Sequence, residues 1–154
     1  MQEWAFVVVH FNWNPTTHTH IDWIIQKQVH QVQIVQLSER LTPPSHIQET
    51  HSTFSICVDR PQHALEIAIM INQHLGHHVR IAVGFGSGHL ADSFLCNEYI
   101  TCHHLLPFVQ PHEFVVLDST YGQCTLPEGI GAFPASNVLQ HRTGCTFWIL
   151  KDYR

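Results

Sequence analysis

Charge is scarce in this chain: Lys and Arg number seven and Asp and Glu twelve among 154 residues. So thin a basic complement excludes the cationic footprint that nucleic-acid binding requires. Long hydrophobic runs are missing as well. None approaches the roughly 20 residues of a membrane helix, so no membrane span is expected and any membrane association would come through a partner. The five cysteines, Cys57, Cys96, Cys102, Cys124 and Cys145, are an odd set without a CxxC pair, and no basic region followed by an apolar run opens the chain. A domain that folds without disulfides in a reducing, cytoplasmic setting is expected.

Histidine is what the chain has in excess, with 15 residues, and glutamine is frequent. Full protonation of the histidines would carry the formal charge from −5 to +10, most steeply near their ordinary pKa of about 6.5. Acid-triggered change of association is therefore physically available. The plainer reading is a solvated surface on which His and Gln stand in for Lys and Glu. The length predicts one domain over residues 1–154, burying about two thirds of the surface its unfolded chain exposes.

Patterning predicts the elements. Trp4 to Phe11 is an apolar, β-branched run of strand length, suited to a central strand covered on both faces. Thr16 or Thr17 is expected to cap a helix ending near Ser38, with Ile21, Ile24, Ile25, Val29, Val32 and Val35 as its apolar positions. His46 to Thr50 and Thr53 to Val58 read as strands about a turn at His51-Ser52, and Pro61 opens a helix over Gln62 to Leu75. Val79 to Val83 alternates as a strand, after which Gly84, Gly86 and Gly88 predict a tight hairpin reversal. The glycines do not make a dinucleotide fingerprint, because His89 stands where a third glycine is needed. A helix from Asn97 to Leu106 closes at Pro107, strands follow at Glu113 to Leu117 and Cys145 to Leu150, and Tyr121 to Val138 reads mostly as loop. The sum is an α+β sandwich with helices on a largely antiparallel sheet.

Three blocks carry a resemblance. Val79 to Leu105, with Leu95-Cys96-Asn97-Glu98-Tyr99-Ile100-Thr101-Cys102-His103-His104-Leu105 on a pattern like FG-D-E-V-N-x-A-S-K-L, resembles the central region of the class III nucleotidyl cyclase homology domain. Phe54 to Leu65 resembles that family's F-x-x-x-F-D-x-P-x-x-A-L passage, and Glu113 to Leu117 its G-E-I-L-L strand. The resemblance implies a ferredoxin-like cyclase fold, active sites built between two chains arranged head to tail, and Mg²⁺ or Mn²⁺ held by two aspartates.

The family's functional positions carry other residues here. Its first metal aspartate falls on Asn12 or Trp13, with no Asp or Glu between Glu3 and Asp22, and its second on Ser52, with Glu49 three residues early. Amides and hydroxyls are weak ligands for such hard cations. The base-reading lysine and aspartate fall on Gln48 and Ser93, with Asp92 one residue out of register, and the transition-state asparagine and arginine on Ile100 and His104. Losing one preorganised polar group typically costs about 100- to 1000-fold in rate. Of the softer-metal candidates, His51 stands alone in its turn, and His18 and His20 share a metal only on an extended segment, since i and i+2 do not face each other on a helix. His77-His78 and His103-His104 are adjacent pairs that rarely chelate alone, and Cys102 reads as a small buried apolar residue rather than a nucleophile.

The expectation is a catalytically degenerate cyclase-like domain that needs no cofactor. It would act as a dimerising or regulatory module, as a homodimer or with a cyclase-like partner, and possible ligands of the emptied cleft stay open. The alternative is a divergent adenylate or guanylate cyclase using Mg²⁺ or Mn²⁺, active alone or as half of a heterodimer, with Glu49, His51, Asp92 and His104 as its candidates.

Overall fold

The computed structural model describes residues 2–12, 19–88 and 96–154. Its centre is β1 (Gln2–Phe11), whose Ala5 to Val9 are buried on both faces, as the unbroken apolar run requires. It lies between β3 (Thr53–Val58) and β4 (Val79–Gly88), antiparallel to each. With α1 (His20–Glu39), β2 (His46–Glu49) and α2 (Pro61–Leu75), these strands form two interleaved split βαβ units in the order β2-β3-β1-β4, the ferredoxin-like arrangement. After α3 (Asn97–Leu105), β5 (Glu113–Leu117) pairs parallel to β4, and β7 (Phe147–Asp152) and β6 (Ile130–Pro134) complete the seven-stranded sheet antiparallel. The α+β, largely antiparallel expectation holds.

The helices divide between the faces. One core packs Trp23, Ile34 and Leu37 of α1 and Leu65, Ala68 and Ile71 of α2 on the odd-numbered positions of β1, while a second packs Tyr99, Cys102 and Leu105 of α3 on Phe6 and Val8. Pro61 is at the first turn of α2, where its missing N–H costs nothing.

Four details differ from the sequence reading. The cap of α1 is Thr19: its side chain accepts from Asp22 N at 3.1 Å and Asp22 Oδ2 accepts from Thr19 N at 3.4 Å. Only Thr19 has an acid three residues on to make this reciprocal box; Thr16 and Thr17 lie outside the described residues. Secondly, Gly84 to Gly88 make no reversal; β4 runs on and pairs with β1 from Phe11↔Val79 to Gln2↔Gly88. A Cβ on Gly84 would lie 2.5 Å from Phe6 Cε2 and 2.9 Å from Cys102 Sγ, so this glycine serves close packing rather than a turn.

Thirdly, a short α4 (Asp118–Tyr121) follows β5, the stretch 121–138 contains β6 and the start of α5 (Asn137–Thr143), capped by Ser136, and β7 begins two residues later than expected. The edge pairing of β6 with β7 supplies order that local glycine and proline content hides. Lastly, α1 turns Trp23, Lys27, Ile34, Leu37 and Ser38 inward, leaving Ile21, Ile25, Val29 and Val32 exposed. Among the described residues no helix is long and apolar enough to cross a membrane.

Candidate functional site

The end of β1 and the β2–β3 turn meet at one corner of the sheet. Phe11 N donates to Ser52 O at 3.0 Å, and Asn12 N donates to His78 O at 2.9 Å, so Asn12 and Ser52 are brought to the same place; Trp13 lies outside the described residues. Threonines close the turn: Thr53 N donates to Thr50 Oγ1 at 3.1 Å and Thr50 N to Thr53 O at 3.0 Å.

Lys27 of α1 reaches this turn. Its stem is buried, its Nζ donates to His51 O at 2.9 Å, and the ammonium lies 5.2 Å from the Trp23 ring centroid. The rings of Trp23 and His51 are 5.1 Å apart, and His20 lies 6.1 Å from each. Sequence reading missed Lys27, since a single lysine in a helix looks like any solvated cation; the one available signal was its helical spacing with Trp23, Ile34 and Leu37.

Two hard divalent ions do not fit these donors. Among the described residues the groups at hand are an amide, a hydroxyl, imidazoles and an ammonium, where Mg²⁺ or Mn²⁺ needs carboxylate oxygens. Asp22 is engaged in the α1 cap, and Glu49 is exposed on the rung opposite Phe54. Among the described residues no cluster of three or more His, Cys, Asp or Glu could hold a metal ion. His20 and His51 come together; their companion His18 lies outside the described residues.

Gln48 and α3 meet on the opposite face. Gln48 Nε2 donates to Tyr99 Oη at 3.3 Å, and Ser55 Oγ lies 2.7 Å from the same oxygen. Burial pushes the Tyr99 phenol up, the Ser55 hydrogen bond opposing it. The Gln48 amide is thus tied to a core tyrosine that sequence reading left unassigned. Ser93 and Asp92 lie outside the described residues. Ile100 and His104 occupy the outward side of α3, both exposed, while Tyr99, Cys102 and Leu105 point in. Burial holds the Cys102 thiol well above its ordinary range, as befits a core residue.

Beside this lies a cleft of about 140 Å³ lined by His10, Thr53, Arg80 and His103. Burial lowers the pKa of His10, and Arg80 lowers it further; burial and the neighbours His104 and His10 lower that of His103, which stacks on Tyr99 at 4.6 Å. A wider cleft of about 490 Å³ between the end of β4 and α3 is lined by Glu3, Glu98 and Cys96 among others. Two carboxylates there oppose a polyphosphate, and burial pushes the Cys96 thiol up.

No protein-family model matches the chain, and no curated protein does. Solved structures do. The catalytic core of a rhodopsin-guanylyl cyclase with converted specificity, in complex with ATPαS, superposes with a TM-score of 0.77 at 8% identity, over 99% of this chain and 97% of that one. The guanylate cyclase domain from Catenaria anguillulae, in complex with GTP, gives 0.75 at 9% identity, over 99% and 98%.

The fold is that of a nucleotidyl cyclase domain. An adenylyl cyclase from P. aeruginosa agrees, with a TM-score of 0.74 at 8% identity over 99% of this chain and 95% of that one. On this cyclase fold the meeting of Asn12 with Ser52 is the corner to which the sequence resemblance assigns the metal aspartates, and the ammonium of Lys27 is bonded to the adjoining residue.

Proposed function

We propose that residues 1–154 form one cyclase-fold domain whose catalytic positions have degenerated, and that it acts as a dimerising or regulatory signalling module in the cytosol. The observation that carries this reading is the 2.9 Å hydrogen bond from Lys27 Nζ to His51 O. Cyclisation needs divalent cations to gather the triphosphate and neutralise the departing pyrophosphate. An ammonium beside the turn repels such ions, and Asn12 and Ser52 offer them no negative charge.

The remaining positions agree. Gln48 is held by Tyr99, and Ile100 has no polar group to orient a ribose. The fold meanwhile keeps its complete sheet, so a surface for a second cyclase-like chain, identical or active, can persist without the chemistry. Nucleotide binding without turnover stays within this reading, because fold neighbours were crystallised with ATPαS and GTP.

The test is an assay with ATP and with GTP plus Mn²⁺, for the chain alone and with candidate cyclase-like partners. Cyclic product no greater than that of a His51→Ala/His104→Ala variant is expected. Product well above it would overturn the reading in favour of a divergent cyclase, active alone or as half of a heterodimer.

A further inference from the structure

One rung of the sheet carries basic side chains to a single place. His10 of β1 is paired with Thr53 of β3 on one side and with Arg80 of β4 on the other. Residues directly opposite one another across strands stand on the same face, and the even positions of β1 face α3, where Phe6 and Val8 meet Tyr99, Cys102 and Leu105. His103 of α3 closes the space from above. With Leu106 and Pro107 of the single turn that follows, these residues wall the cleft of about 140 Å³. Neither Asn12 nor Ser52 lines it, so it lies beside the corner that Lys27 reaches and not within it.

Donors outnumber acceptors in this cleft. Among the described residues the Arg80 guanidinium makes one hydrogen bond, to Pro107 O at 3.3 Å, and no ion pair, which leaves most of its N–H groups for another acceptor. Nδ1 of His10 is buried with no hydrogen-bond partner among the described residues, a condition that folded proteins ordinarily avoid. The Thr53 hydroxyl is already paired with that of Thr50. The charged and titratable groups facing the cleft are His10 from β1, Arg80 from β4 and His103 from α3, with His104 beside it; β3 and the turn contribute Thr53, Leu106 and Pro107. No acid lines it among the described residues.

We propose that this cleft binds a single tetrahedral oxyanion, a free phosphate or the phosphoryl end of a phosphomonoester, held by the Arg80 guanidinium and by the imidazoles of His10 and His103. The guanidinium fork matches the oxygens of such a group. Donors arrive from β1, β4 and α3, three directions that suit a tetrahedral group better than a planar carboxylate. Volume sets the size: sites for drug-sized ligands run to about 300–1,000 Å³, so this cleft takes one such group and leaves a nucleoside outside. Binding draws protons with it. Burial holds both imidazoles below their ordinary pKa, Arg80 adding to this for His10 against the opposing Asn12 side chain, and His104 and His10 adding to it for His103. A divalent anion against the two rings favours their charged forms, so affinity rises as pH falls.

The inference goes beyond the reading above and holds whether or not the chain cyclises nucleotides. Calorimetric titration of the full chain with sulfate, whose charge is constant near neutral pH, and with inorganic phosphate tests it. The expected result is saturable sulfate binding that tightens about fivefold or more from pH 7.5 to pH 6.0 as the histidines take up protons. Arg80→Gln should weaken it at least about tenfold, and Arg80→Lys, which keeps the charge and loses the fork, should fall between. His10→Gln/His103→Gln should flatten the pH dependence, whereas Arg60→Gln, an exposed cation elsewhere, should change nothing. Adenosine monophosphate separates the two sources: affinity equal to that of phosphate assigns the free ion, and tighter binding that still needs Arg80 assigns a phosphomonoester. Absence of saturable binding of either ion at millimolar concentration, binding that survives Arg80→Gln, or a pH dependence that survives the double histidine variant would overturn the proposal. The cyclase assay decides the catalytic question separately.

Discussion

Lys27 Nζ and His51 O, 24 residues apart in sequence and 2.9 Å apart in the fold, join α1 to the hairpin turn at the corner where the resemblance assigns a metal ligand. A cation held there repels other cations and attracts anions.

Restoring acids should therefore restore metal only when the ammonium is removed. The wild type is expected to show no shift in Tm with millimolar Mn²⁺. Asn12→Asp/Ser52→Asp should shift little, its carboxylates pairing with Lys27, and adding Lys27→Met should raise Tm. At a hundredfold excess over Kd, a bound ion stabilises by about 2.7 kcal/mol. Equal shifts with and without Lys27 would refute the electrostatic argument.

The Ser55–Tyr99 pair anchors α3 to the sheet. Tyr99→Phe leaves the buried Ser55 hydroxyl without its closest partner and should cost about 1–3 kcal/mol in urea unfolding. Ser55→Ala/Tyr99→Phe should cost less than the sum of the two single changes, because both remove one interaction. Strict additivity would show that the hydroxyls do not depend on each other.

Alanine at Gly84 and at Gly86 should differ. At Gly84 the new methyl meets the ring of Phe6 and Cys102, both core, and about 1–3 kcal/mol should be lost. At Gly86 the nearest atoms are the carboxylate end of Glu98, 2.5 Å from the ideal Cβ, which a flexible side chain can withdraw, and Cys96 Sγ at 2.9 Å, which is only half-buried, so the loss should be smaller. Chemical denaturation of both variants checks the order.

Acid should destabilise the fold. Burial lowers the pKa of His10, His30 and His103 below 6.5, with Arg80, His78 and His104 as their respective second causes. The native state then binds protons less readily than the unfolded chain. Stability is full above about pH 6.5 and is lost as pH falls through the lowered native values. Tm should drop between pH 7.5 and 5.5, and His30→Gln should make the drop shallower. A flat profile would count against it.

Much of this was legible in the chain. The apolar run from Trp4 to Phe11 announces a strand buried on both faces, Pro61 announces a helix start, and the runs Thr53 to Val58 and Glu113 to Leu117 give strand limits that agree with the fold. The corner was legible in part. Asn12, Ser52 and Gln48 could be placed by register, but their partners Lys27 and Tyr99 could not, since both come from helices whose contacts with the sheet lie 24 and 51 residues away.

By itself the sequence determined the element order, the scarcity of carboxylates near the end of β1, and a helix with apolar residues all round. Only the tertiary structure decided which side of α1 went inward. Periodicity favours Ile21, Ile25 and Val32 as readily as Trp23, Ile34 and Leu37, and local physics is indifferent between them. The choice belongs to the sheet: its surface and α2 accept the side that carries Trp23 and seats the Lys27 ammonium on a carbonyl. That one rotation both brings the Lys27 ammonium to the corner and turns the other apolar stripe to the outside.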